Sequence, residues 1–265
     1  MTVTADHIAI LVCDTPIPGV ASKFGDFGDN CRDLLEAGGS CPYPGICYQI
    51  CNDNDDDLEV IYSQIKAGLE SNVIKGLLLT GSRSDAFDDQ VPWIQKLDSF
   101  VINVAFETPN LPIVGICFGH QILSKDLGAK VGRNLGQGWE LGTTEIKLNP
   151  HFSLMKGPIL SMSESHRDVV FEIPKPYKGS EFYNIGSSSN CAVQGLISNG
   201  GKLRILTFQG HPEFHPDLML ALCKYKYEAG TIDKEVYEQS TQATASMVNQ
   251  GKEIGGIIGN FFQTK

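Results

Sequence analysis

Positive charge is scarce in this chain: 21 Lys and Arg stand against 31 Asp and Glu, a net charge of −10. The basic residues are nowhere massed on one segment, so neither nucleic acid nor an anionic membrane surface is an expected partner. No apolar run approaches the ~20 residues needed to cross a bilayer. The first one, "HIAILVC" (His7 to Cys13), is short, follows no basic segment and leads into Asp14, and so reads as a strand rather than an export signal. On that reading the eight cysteines are expected as reduced thiols in the cytoplasm or the nucleus. Tight cysteine pairs are missing as well. Among Cys31, Cys41, Cys47 and Cys51 only the last two approach the spacing of a structural zinc site, and no metal or other cofactor is expected. There is no internal repeat, and the sole low-complexity tract is "NDNDDD" (Asn52 to Asp57).

What is present suits one large core. With 265 residues, 42% of them hydrophobic, a single domain over 1–265 is expected. "HIAILVC", "IKGLLLTGS" (Ile74 to Ser82) and "LPIVGIC" (Leu111 to Cys117) are continuous apolar runs that end in turn residues, as parallel strands covered on both faces do. Between the last two, Trp93, Leu97, Phe100, Val101 and Val104 recur at helical spacing behind Pro92. A further helix after Cys117 is expected to end at Gly128. The pattern predicts a doubly wound, mostly parallel α/β sheet flanked by helices, with functional residues outside the carboxyl ends of the strands. From Trp139 to Phe208 short strand-like segments predict a mixed or antiparallel extension of that sheet. After Pro216 the pattern is helical. One helix is expected to stop at Gly230, and "DKEVYEQSTQATASMVNQGKEIGGIIGNFF" reads as a single long helix interrupted by glycine.

The stretch "IVGICFGHQIL" carries the chemistry. A cysteine after an apolar strand is by default a buried core thiol. Here, however, Gly115-Ile116-Cys117-Phe118-Gly119 has the form G-x-C-x-G, the thiol counterpart of a nucleophile elbow, in which small neighbours permit a tight turn that lifts the side chain out of the sheet. The helix that follows would turn its N-terminal N–H groups toward the sulfur and favour a thiolate.

Such a nucleophile needs a base and an orienting group. "LRILTFQGHPEF" offers both, because an apolar strand ends at Gln209-Gly210 and His211 and Glu213 follow at once. If this strand neighbours the one ending at Cys117, the three side chains emerge at one sheet edge in a Cys-His-Glu triad. A thiol redox sensor or binding protein on the same fold is the alternative, and it would have no need of a general base.

These motifs resemble the class I glutamine amidotransferases, the triad family. "LLLTGSRSD" resembles the family's glycine loop, "VGICFGHQIL" its elbow, "SHRD" its substrate-backbone segment and "TFQGHPEF" its His-x-Glu motif. The resemblance implies a flavodoxin-like fold and hydrolysis of a γ-glutamyl amide through a thioester on Cys117, with His211 as acid and base and Glu213 orienting it. It implies an oxyanion hole from the backbone N–H groups of Phe118 and of Gly81 or Ser82. Gln121, Ser165 and His166 match substrate-binding positions, while His120 reads as structural. The partner implied is a small-molecule γ-glutamyl substrate. Many relatives pass ammonia to a synthase, but a G-x-x-x-x-G-K-[ST] phosphate loop is missing here, so the chain is expected either to join a synthase partner or to act alone. "TGSRSDAFDDQVPWIQKL" resembles the stand-alone branch that includes plant γ-glutamyl peptidases, and implies a preference for a γ-glutamyl-cysteinyl peptide over glutamine.

Overall fold

The computed structural model describes residues 5–263. Short apolar strands alternate with helices through the first half: β1 (His7–Val12), a helical turn α1 (Ala21–Phe24), α2 (Phe27–Gly38), β2 (Gly45–Gln49), α3 (Asp55–Glu70), β3 (Ile74–Leu79), α4 (Pro92–Phe100), β4 (Pro112–Ile116) and α5 (Phe118–Asp126). The second half is first strand-rich, with β5 (Val131–Arg133), β6 (Glu140–Leu148), β7 (Ile159–His166), β8 (Asp168–Val170), β9 (Glu181–Asn184), β10 (Gly186–Ser187), β11 (Leu196–Asn199) and β12 (Arg204–Phe208). It closes with α6 (Pro216–Glu228), α7 (Lys234–Ser246) and α8 (Gly251–Gln263).

Seven strands form the main sheet in the order β2-β1-β3-β4-β12-β11-β9. The first five are parallel, β11 runs antiparallel to β12 and β9 antiparallel to β11, and the parallel part is the doubly wound arrangement that the apolar runs predict. Because side chains alternate across a strand, each central strand feeds two cores. Ala9, Leu11, Leu77, Leu79, Ile113 and Ile205 pack on one face beneath α3, α4 and α5. Ile8, Ile10, Val12, Leu78, Val114, Ile116, Leu206 and Phe208 pack on the other with residues of α2, α8, β6 and β7. Such two-sided burial explains why the strands read as unbroken apolar runs.

Two expectations need correction. Of the strands between Trp139 and Phe208, β12, β11 and β9 join the main sheet, whereas β10, β6 and β7 form a separate antiparallel sheet and β5 pairs with β8. The C-terminal segment is two helices rather than one. It breaks at Met247, whose backbone is extended (φ −119, ψ 149), because the next residues have other partners. Asn249 donates from Nδ2 to the carbonyls of His211 (3.2 Å) and Phe214 (2.7 Å), and the N–H of Gln250 donates to Ser161 (2.9 Å). The expected helix ends at Gly128 and Gly230 do occur, both with the left-handed φ (87° and 71°) that glycine tolerates. No helix among the described residues is long and apolar enough to cross a membrane.

Helix α8 approaches α2 closely because glycine faces it. A Cβ on Gly255 would lie 2.5 Å from the carbonyl oxygen of Leu34. Alanine is intrinsically better in a helix by about 1 kcal/mol, but overpacking against backbone that cannot rotate away typically costs about 1–3 kcal/mol. Gly255→Ala is therefore expected to lower stability in denaturant titrations. Unchanged or raised stability would mean that the two helices have room to part.

Candidate active site

The cysteine at the step from β4 into α5 has a backbone that L-residues rarely adopt, φ 50 and ψ −102. Neighbouring strands hold it there. Its N–H donates to Phe208 at the end of β12 (2.8 Å), and the N–H of Gly119 donates to Thr80 after β3 (3.2 Å). A Cβ on Gly119 would fall 2.4 Å from the carbonyl oxygen of Leu79, so the second glycine of G-x-C-x-G is fixed by close packing on β3. The Cys117 side chain, 5% exposed, accepts a hydrogen bond at its sulfur from Nε2 of Gln209 (3.6 Å).

Strand β12 lies beside β4 in parallel register, with Phe208 opposite Ile116, so the residues after both strands emerge together. His211 donates its N–H to Ser163 of β7 (2.7 Å) and stacks its ring on Phe214, with centroids 4.0 Å apart and planes 4° from parallel. Its Nδ1 meets Oε1 of Glu213 at 2.7 Å. Burial pulls this imidazole toward its neutral form, but the Glu213 carboxylate and the Cys117 sulfur outweigh it and push protonation up to about 10. Gly81 lies between the two side chains: a Cβ there would sit 2.8 Å from Cε1 of His211 and 3.7 Å from Cβ of Cys117.

A cavity of about 240 Å³ opens at this sheet edge. Cys117, His211, Ser82, Gln121, Ser165 and His166 all line it. Glu213 sits behind His211, and Phe118 turns its ring into the opposite core, against Trp93. The N–H groups of Gly81, Ser82 and Phe118 donate to no backbone carbonyl among the described residues. Gln121 is already engaged, donating from Nε2 to the carbonyl of Asp168 (2.9 Å) and to Oε1 of Gln209 (3.1 Å). A relay thus runs from Gln121 through Gln209 to the Cys117 sulfur, and Gln209 is the member that sequence reasoning passed over.

His166 is held from within the protein. Its Nδ1 faces the carbonyl of Asp168 (3.2 Å), and Nε2 lies 3.0 Å from Glu140 and 3.1 Å from Glu164. Burial opposes its charge, yet the two carboxylates push it up to about 10, while burial pushes Glu164 up to about 7. The sulfur of Cys191 joins this group, whose Glu140, His166 and Cys191 ligand atoms lie within 4.8 Å of one another. Protonated His166 sets one positive charge between the Glu140 and Glu164 carboxylates. His120, as expected, is structural: fully buried, held at about 3 by burial and bonded through Nδ1 to Thr207 (2.8 Å).

Further lining residues fall inside and outside the sequence motifs: Arg83 and Arg167 lie within "TGSRSD" and "SHRD", Trp139 and Lys226 in none. Arg83, within "TGSRSD", makes a two-pronged ion pair with Asp14 at 2.8 and 3.0 Å. Trp139, Arg167 and Lys226 line the same cavity from three distant segments.

Known proteins share this sequence pattern and this fold. An S. pombe (Schizosaccharomyces pombe) protein named as glutamine amidotransferase-like is 32% identical over 225 residues, 82% of this chain and 83% of its own. Gamma-glutamyl peptidase 2 of Arabidopsis thaliana is 29% identical over 195 residues, 71% of this chain and 73% of its own. In fold, a glutamine amidotransferase from Thermotoga maritima superposes with a TM-score of 0.64 over 97% of this chain and 99% of its own, at 17% identity. Residues 66–221 match the pattern of the family described as glutamine amidotransferase class-I, and with β3, the elbow and β12 all inside that span, the chain belongs to that family.

Proposed function

We propose that this protein hydrolyses a γ-glutamyl amide through a thioester on Cys117. The observation that carries the reading is the left-handed Cys117 at a strand–helix step beside a His211–Glu213 pair 2.7 Å apart. Cys117 attacks as the thiolate at the side-chain carbonyl carbon of the glutamyl group. The C–S bond forms, the C–N bond breaks, and the protonated His211 gives its proton to the departing nitrogen. A water molecule then attacks the thioester, His211 takes up its proton, and glutamate leaves as the thiolate is restored. Glu213 keeps the imidazole oriented and its cation stabilised. The N–H groups of Phe118 and of Gly81 or Ser82 serve the oxyanion, a contribution commonly worth about 10²–10³ in rate. Gln121, Ser165 and His166 form the wall against which the glutamyl group lies.

Other roles for the fold predict different behaviour. An ammonia-donating subunit would be nearly idle until its synthase is added, and a redox sensor would not turn over.

Selective reactivity is the first test. Burial pushes the thiol up at each of the other seven cysteines, to about 11 at Cys51. A substoichiometric electrophile near neutral pH is therefore expected to modify Cys117 first. Peptide mapping that found Cys47 or Cys51 modified ahead of it would contradict the elbow as a nucleophile.

Glutamate release from γ-glutamyl substrates tests the triad itself. Cys117→Ala and His211→Asn are each expected to lower kcat by about 10⁴-fold or more, with Glu213→Gln losing one to two orders less. Activity of Cys117→Ala near that of the unaltered protein would end the proposal. Equal tolerance of the His211 and Glu213 changes would reduce that pair to a structural contact.

A further inference from the structure

The cavity holds more positive charge than a glutamine molecule needs. Lys226, in the last turn of α6, places Nζ 4.0 Å from the ring centroid of Trp139, and the guanidinium of Arg167 lies 5.3 Å from the same centroid. Neither cation has a carboxylate within ion-pair distance among the described residues. Burial pulls the Lys226 ammonium down to about 8, as expected of a cation removed from water without a counter-ion.

The other charged side chains of the lining have partners of opposite sign, Glu213 for His211 and Glu140 with Glu164 for His166. Arg83 is matched by Asp14. Asp85 and Asp168 share Arg133, at 2.6 and 3.0 Å, which leaves one negative charge over when both are ionised. That excess suits an α-ammonium group. Glutamine would bring one ammonium and one carboxylate, so one of the two cations on Trp139 would stay unmatched; Arg167 is exposed and Lys226 half-buried, so leaving Lys226 unmatched is the arrangement that costs desolvation. A γ-glutamyl amino acid or peptide brings one ammonium and two carboxylates, and leaves none unmatched.

We infer that Arg167 and Lys226, held on the Trp139 ring, form a subsite in which one cation receives the α-carboxylate and the other a second carboxylate carried by the leaving amine. This makes the pair a specificity determinant for acidic γ-glutamyl substrates, and it rests on the hydrolase reading above only for the identity of the γ-glutamyl group. Trp139 fixes the positions of both charges, since an aromatic face attracts a cation without neutralising it.

Binding separates this inference from catalysis. In Cys117→Ala protein, calorimetric titration compares γ-glutamyl-alanine with γ-glutamyl-alaninamide, which differ only in the second carboxylate. The acid is expected to bind about 10-fold or more tighter than the amide, and Lys226→Met or Arg167→Met, added to that background, is expected to bring the ratio below about 3, as loss of a charge-assisted contact would. Equal affinity for acid and amide, no binding of either, or a ratio unmoved by both substitutions would overturn the subsite. Glutamate release by the protein with Cys117 intact is read in parallel. If it fails on every γ-glutamyl substrate while the binding ratio holds, the hydrolase reading falls and the subsite stands.

Discussion

The positive φ at Cys117 is the constraint on which the rest of the site depends. A non-glycine residue in such a conformation costs about 1–3 kcal/mol and persists only where its surroundings over-determine it. Here they do so from both sides. The N–H bond to Phe208 fastens the turn to β12, and the contact of Gly119 with Leu79 presses it onto β3. Both clamps need three parallel strands in the order β3-β4-β12, and that order needs the two apolar cores that cover the sheet. The same three strand ends also deliver Gly81, Cys117 and His211, so the packing that holds the strained turn also assembles the chemistry around it.

Positioning of His211 draws on parts of the chain far apart in sequence. His211 is bonded through its backbone to Ser163 on the small sheet and, through its carbonyl, to Asn249 from the break between α7 and α8. Its ring is sandwiched between function and structure, with Glu213 on Nδ1 and Phe214 against its face. The buried His166 group plays a comparable part on the opposite wall, where Glu140 and Glu164 anchor the segment that runs from Ser165 to Asp168. A rigid frame of this kind suits preorganised catalysis, since little reorganisation is left for the moment of reaction.

How much of this the sequence discloses varies with the range of the interaction. The central strands β1, β3, β4 and β12 are legible because burial on both faces demands apolar residues, and the elbow and the His-x-Glu pair are legible because each is contained within five residues. Helices α2 and α3 escape notice since their exposed faces are strongly polar. The acidic tract near Asn54 is in fact a helix start: Asn54 accepts N–H bonds from Asp56 and Asp57, and the acids that follow complement the helix dipole. The separate sheet and the break after α7 are invisible for another reason, as both are decided by long-range partners such as Ser161 and His211. Arg167 falls within "SHRD", but Trp139 and Lys226 meet it only after folding, so no spacing in the chain could announce the group.

The brace from Asn249 also orders events in time. In synthesis Cys117 and its elbow come first, and His211 and Glu213 follow almost a hundred residues later. The side chain that grips the carbonyls of His211 and Phe214 emerges last of all. The fixed position of His211 beside Cys117 thus depends on a segment that follows both of them in the chain and leads directly into α8, the helix packed on α2.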